Sequence, residues 1–304
     1  VARYFDPPVD YRPGVIFQLR HRLEGGALRQ TVLELRNGAG DGRREAVVLV
    51  HGFNNHYGEA AAAFQGFRNQ QYRRDPSLLP PSLETMLADA HWPGDAAWGK
   101  ADLVDFLVYP FAVGTAKKAG PVLANFLGRL PNLEIVHFIG HSLGCRVVLE
   151  AIRALAARPR VGKVCLMAAA VPVFQVEWGG RLESAMVRAQ QVLVLYSGRD
   201  IVLTGAFPPG QFAAGRGEGM FPLALGHERP PPTVAGMVDA IEISGADHGD
   251  YWGHSNTEPS WRATARAGSF MAFGQRVRAI GLRSAAPKAT GPAPREYASA
   301  RSMG

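Results

Sequence analysis

The stretch Ile135-Val136-His137-Phe138-Ile139-Gly140-His141-Ser142-Leu143-Gly144 decides the fold. Its first five residues form an apolar, β-prone run that ends at a glycine, which reads as a buried strand. From Leu143 to Ala157 the composition is helix-forming. Strand and helix are therefore joined by a turn of only a few residues. Side chains would collide on either side of so sharp a turn, which explains glycine at positions 140 and 144. Ser142 is then expected in a strained conformation, its hydroxyl above the sheet and the next N–H at a helix N-terminus.

Outward from this turn, apolar strand-like runs alternate with longer helical patterns, the signature of a mostly parallel sheet flanked by helices. Expected strands are Val15–Arg20 and Thr31–Leu35 (an antiparallel edge hairpin), Glu45–Val50, Leu103–Tyr109, Glu134–Ile139, Lys163–Ala168, Val192–Tyr196 and Ala240–Ser244. Expected helices are Glu59–Arg73, Gly114–Leu127, Leu143–Ala157, Arg181–Gln190 and Ser260–Ile280. Two stretches break the alternation: Asp75–Lys100, rich in Pro, Gly and Trp, and Gly205–Thr233, rich in Pro, Gly and Phe. Following strands of a parallel sheet, they are expected as lid-like insertions that wall a substrate pocket, with plain surface excursions as the alternative. The resulting organisation is an N-terminal extension over residues 1–44, a single α/β domain over 45–283 and a flexible Ala/Pro/Ser/Gly-rich tail over 284–304.

A serine hydroxyl is nearly inert at neutral pH. To act as a nucleophile it needs a base in hydrogen-bond reach, a third group to orient that base, and donors for the oxyanion formed in acyl transfer. The strand Glu45–Val50 runs into His51-Gly52-Phe53-Asn54-Asn55, small and polar residues that let the backbone turn and present N–H groups. The strand Val192–Tyr196 runs into Ser197-Gly198-Arg199-Asp200, and the last strand into Gly245-Ala246-Asp247-His248, followed by Tyr251-Trp252 and His254.

His-Gly after an early strand, then Gly-His-Ser-Leu-Gly, then an acid, then a histidine, resembles the chain order of the α/β-hydrolase superfamily over about Arg44 to Ile280. The resemblance implies an α/β-hydrolase fold and a triad of Ser142, His248 and Asp200, with the backbone N–H groups of Phe53 and Leu143 as the oxyanion hole. It implies no cofactor. A capping role for Asp200 in the turn after Gly198 stays open, as does His254 in place of His248 as the base. His51 is expected to bond within its own loop. The implied activity is a serine hydrolase of the esterase or lipase kind, cleaving a carboxylic ester or related acyl bond through an acyl-enzyme. An acyltransferase with the same triad and an idle scaffold acting as a binding module are the alternatives.

Composition narrows the field further. With 304 residues, 47% hydrophobic and 19% charged, the chain has the makeup of a globular protein. No apolar run is long enough for a bilayer span, and Val1–Asp10 lacks the basic-then-apolar layout of a signal peptide. Of the formal +7, the last stretch carries +3, with Arg283, Lys288, Arg295 and Arg301 against Glu296. The remaining +4 is a weak field with no aromatic-interleaved basic stripe, so no nucleic-acid partner is expected; a small-molecule ester or acyl substrate is. Histidines and cysteines lack ligand spacing for a metal, and Gly215-Arg216-Gly217-Glu218-Gly219 lacks the setting of a phosphate loop. Cys145 and Cys165 read as two small buried hydrophobes, and a cytoplasmic location is the expectation.

Overall fold

In the computed structural model, the described residues are 15–19, 21–24, 27–30, 34–35, 44–53, 57–78, 86–94, 102–215, 217–253, 255–273 and 275–276. His254 and the tail 284–304 lie outside them. The strands are β1 (Val15–Gln18), β2 (His21–Glu24), β3 (Ala27–Gln30), β4 (Glu34–Leu35), β5 (Glu45–Val50), β6 (Leu87–His91), β7 (Ile135–His141), β8 (Arg160–Met167), β9 (Gln191–Tyr196) and β10 (Asp239–Glu242). Eight of them build one sheet in the order β10-β9-β8-β7-β5-β6-β1-β4, parallel except for β4, which pairs antiparallel with β1; β2 and β3 form a separate hairpin. The edge pairing expected of the N-terminal segment is present as Val15↔Leu35 and Ile16↔Glu34, while residues 31–33 are outside the described set.

Alternating strand and helix, with short links, forces the parallel arrangement. The central strands are buried along almost their whole length, which is why β5 reads Glu-Ala-Val-Val-Leu-Val with no polar residue after the first. The principal helices are α1 (Tyr57–Arg74), α2 (Asp102–Gly128), α3 (Gly144–Ala154), α4 (Glu183–Arg188), α5 (Phe207–Ala213) and α6 (Glu258–Met271). Helix α2 lies along α3, and α1 packs against α6. At the start of α6 the Thr257 side chain accepts the Ser260 N–H, and the helix stops where Ala272 turns left-handed at φ 55°.

Two expectations need correction. Leu103–Tyr109 is not a strand but the first part of α2. A short apolar run cannot be told from buried helix by periodicity, and Pro110 and Gly114 concealed its continuity with the helical pattern downstream. Segment 75–100 is not simply an irregular insertion either: Leu87–His91 within it is strand β6, buried throughout between β5 and β1. Leu-Ala-Asp-Ala-His has no β-branched residue, so propensity gives no sign of it. Its carboxylate is accommodated from outside the strand, because Asp89 pairs with buried Arg68 of α1. Among the described residues no helix is long and apolar enough to cross a membrane.

The strand order places the site. After β5 the chain moves to one side to make β6, returns to lay β7 on the other side of β5, and continues outward through β8, β9 and β10. The carboxyl ends of β5 and β7 therefore flank a topological switch point, where loops diverge and leave a crevice. His51-Gly52-Phe53 leaves from β5 and Ser142 from β7.

Candidate active site

Ser142 adopts φ 53°, the left-handed region that non-glycine residues rarely occupy, and is almost fully buried. The conformation is overdetermined by its neighbours. Its N–H donates to the Met167 carbonyl at 3.0 Å, and its carbonyl accepts from Cys145 at 3.1 Å and Ala170 at 3.2 Å. The turn sits so close to the β5 loop that a Cβ on Gly144 would land on the His51 carbonyl oxygen, and one on Gly52 would stand 3.0 Å from Ser142 Cβ. The glycines are thus required by contact between two strand ends.

His248 reaches the serine from the loop after the edge strand β10. Its Nε2 lies 2.8 Å from Ser142 Oγ and its Nδ1 2.7 Å from Asp200 Oδ2. Asp200 is fully buried after β9, and its other oxygen, Oδ1, accepts the N–H groups of Val202 at 3.1 Å and Leu203 at 3.0 Å. The two sequence readings of this aspartate are therefore compatible: one oxygen caps the 202–206 turn while the other faces the imidazole. With both oxygens in charge-assisted hydrogen bonds, the buried carboxylate is compensated and fixed in rotation.

The loop carrying His248 is pinned at several points that carry little signature in the sequence. His141 Nε2 donates to the His248 carbonyl at 2.8 Å, and Ser197 Oγ donates to the Ala246 carbonyl at 2.8 Å, tying the ends of β9 and β10 together. Asp250 accepts from the Asp247 N–H (2.9 Å), Ser255 Oγ (2.5 Å) and Thr257 Oγ1 (2.9 Å). The Asp-x₄-Ser-x-Thr spacing is the one sequence signal for this clasp. Tyr251 and Trp252 are buried below, against His141.

His51 bonds within its own region. Its Nδ1–H donates to the Gly52 carbonyl at 2.8 Å, its Nε2 accepts the Trp92 N–H at 3.2 Å, and the ring stacks on Trp92. Both ring nitrogens are occupied, which leaves no lone pair for base catalysis. Phe53 packs edge-on against Tyr109 of α2, and Leu143 stands at the N-cap of α3, its carbonyl accepting the Arg146 N–H at 3.0 Å. Among the described residues no group of three or more His, Cys, Asp or Glu side chains is placed to hold a metal ion. Cys145 and Cys165 are both free and buried.

Segment 205–233 borders Ser142 through a chain of backbone bonds. Gly226 donates to Ala169 at 3.0 Å, Leu225 to Val171 at 2.9 Å, and Val173 to Leu223 at 3.0 Å; Ala170 in the same run donates to Ser142. Beneath it lies an ion network absent from the sequence reading. Glu218 accepts from Arg146 at 3.0 and 3.2 Å, from Lys117 at 2.8 Å and from Gln175 at 2.9 Å, while Arg146 also bonds Glu150 at 2.9 Å and Arg181 pairs with Glu150. Burial alone would raise the carboxyl pKa values of Glu150 and Glu218, but the facing guanidinium and ammonium groups overcome it and hold both below the usual range.

A family model described as an alpha/beta hydrolase of unknown function (DUF900) matches residues 34–204. Solved structures with a similar chain path include a CIB-like hydrolase from Thermoplasma acidophilum, at 15% identity over 75% of this chain and 86% of that one, with a TM-score of 0.39. A hyperthermophilic esterase from Pyrobaculum calidifontis matches at 15% identity over 82% and 78% of the two chains, TM-score 0.39. The catalytic core domain of acetyl xylan esterase from Trichoderma reesei matches at 12% identity over 77% and 97%, TM-score 0.38. Comparison with curated protein sequences gives no match.

Proposed function

The chain belongs to the alpha/beta-hydrolase family of unknown function (DUF900), and on that premise we propose that it is a serine hydrolase cleaving a carboxylic ester or related acyl bond. The observation that carries the reading is the relay Ser142 Oγ–His248 Nε2–His248 Nδ1–Asp200 Oδ2, with separations of 2.8 and 2.7 Å. These distances meet the hydrogen-bond requirement for a general base acting on a nucleophile and for a carboxylate orienting that base.

In this reading His248 Nε2 takes the proton as Ser142 Oγ attacks the acyl carbonyl carbon. Asp200 keeps the Nδ1–H tautomer in place and stabilises the imidazolium that forms. The carbonyl oxygen becomes an oxyanion that accepts the N–H groups of Phe53 and Leu143, at the switch point between β5 and β7. His248 then gives its proton to the departing alcohol oxygen, leaving an acyl-serine. Water then loses a proton to His248 as its oxygen attacks the acyl carbon; the bond to Ser142 Oγ breaks, His248 returns the proton to Oγ, and the acid leaves. No cofactor takes part.

A fluorophosphonate probe and a short activated aryl ester test the reading together. Expected are one covalent adduct on the peptide containing Ser142, ester turnover, and loss of both in folded Ser142→Ala. Adduct and turnover that persist in folded Ser142→Ala would overturn it, as would a wild-type protein that neither labels nor turns over.

A further inference from the structure

Six large apolar side chains on the segments that follow β8 and β9 stand in solvent: Phe174, Ile201, Phe212, Met220, Phe221 and Leu223. Met220 is 76% exposed and Phe221 60%. All but Ile201 form a linked rim. The Phe212 and Phe221 rings stack at 5.3 Å and 7°, the Gly219 backbone abuts the Phe174 ring, and the Leu223 carbonyl accepts the Val173 N–H. The six join the site at two places: Ile201 follows Asp200, and the 169–173 run that holds Leu223 also bonds the Ser142 carbonyl.

Exposed Met220 and Phe221, on the irregular stretch after α5, would be expected to collapse inward. Two features keep them out. Gly217 and Gly219 take φ 97° and 89°, and between them Glu218 turns inward, buried, into the bidentate grip of Arg146, one helical turn beyond the serine. Phe221 itself sits at φ 55°, a strained conformation for a bulky residue that persists only when its surroundings impose it. A buried ion pair and a strained backbone are thus spent on presenting apolar surface beside a polar site.

We propose that this rim is the platform for a long apolar chain on the acyl side of the substrate, so that the enzyme selects esters of medium- to long-chain acids. Phe212, Met220 and Phe221 are its specificity-determining residues, and Glu218 is a positioning residue that acts through Arg146. The proposal rests on the serine-hydrolase reading above.

The test is the ratio of kcat/KM for an activated decanoate ester, kept below its aggregation concentration, to that for the acetate ester. In Met220→Ser/Phe221→Ser the ratio falls tenfold or more, chiefly through KM for decanoate. Glu218→Gln lowers it in the same KM-dominated way. Trp261→Ser, an exposed apolar residue on α6, leaves it unchanged. An unaltered ratio in the folded double variant overturns the proposal while the hydrolase reading stands. So does an unaltered ratio accompanied by a change from dimer to monomer in sedimentation, which would assign the rim to self-association. A wild-type protein that neither labels with fluorophosphonate nor cleaves acetate refutes the hydrolase reading and this proposal with it.

Discussion

Asp200 and His248 stand 48 residues apart in sequence and 2.7 Å apart in space, each just past the end of a different strand, with the carboxylate fully buried. Parallel pairing of β9 with β10 brings them there: Tyr196 lies opposite Glu242, so the loops that leave both strands emerge side by side. Asp200 spends Oδ1 on the backbone and Oδ2 on the histidine. Asp200→Asn should therefore retain the backbone cap while losing the charge and the tautomer control. The expected result is a small change in melting temperature with kcat reduced by about 10³–10⁴-fold. A variant with near wild-type kcat would remove Asp200 from the reaction.

Ser142→Ala and His248→Ala should each reduce turnover of an activated ester on the order of 10³-fold or more, and the double variant should lose little beyond either single one. Members of one relay act as a unit, so their losses do not add. His254→Ala, the alternative base in the sequence, is expected to retain activity. Inactive His254→Ala beside active His248→Ala would transfer the role to His254.

The placement of the candidate site was more legible than the individual elements of the fold. Gly140, Ser142 and Gly144 announced the turn because the contact between the β5 and β7 ends tolerates no Cβ at 144, a local constraint that leaves a local mark. Asp200 and His248 were readable because each follows a strand end in chain order. Strand β6 was not, since Asp89 and His91 look unsuited to a buried strand until Arg68 supplies the partner from α1. The start of α2 was misread for the opposite reason: its apolar run suits a strand as well as a buried helix, and periodicity does not separate the two. The Arg146–Glu218 pair spans 72 residues and has no periodic or motif signature at all.

Substitution of two glycines should separate contact from propensity. Gly144→Ala puts a methyl group onto the His51 carbonyl, so the Ser142 turn and the β5 loop must move apart. The expected cost is about 1–3 kcal/mol of stability, with activity falling beyond what that loss explains. Gly114→Ala, inside α2 with nothing within reach of the new methyl, should instead stabilise by about 0.5–1 kcal/mol. Urea midpoints of the two variants against wild type decide the matter; equal effects would contradict the close approach at Gly144.

His137 makes the last prediction, for stability against pH. Its ring is buried on β7, Nδ1 accepts the Lys163 N–H at 2.7 Å, and Nε2 lies 2.6 Å from Glu45 and 3.0 Å from Arg276 Nη1, two groups that also pair with each other. Nδ1 has no room for a proton while it accepts that bond, so the neutral Nε2–H tautomer fits the site. Burial, followed by the Lys163 charge, pushes the pKa from 6.5 down to about 4, against the pull of the Glu45 carboxylate. Between those two values the unfolded chain binds the proton and the folded one does not. Stability from this group is therefore complete above pH 6.5 and is lost as pH falls toward 4, to a total on the order of 3 kcal/mol. Wild type should lose more stability between pH 7 and pH 5 than His137→Gln, which has no titrating ring. Urea midpoints at both pH values measure that difference, and an NMR titration placing the His137 pKa near 6.5 in the folded protein would refute the assignment.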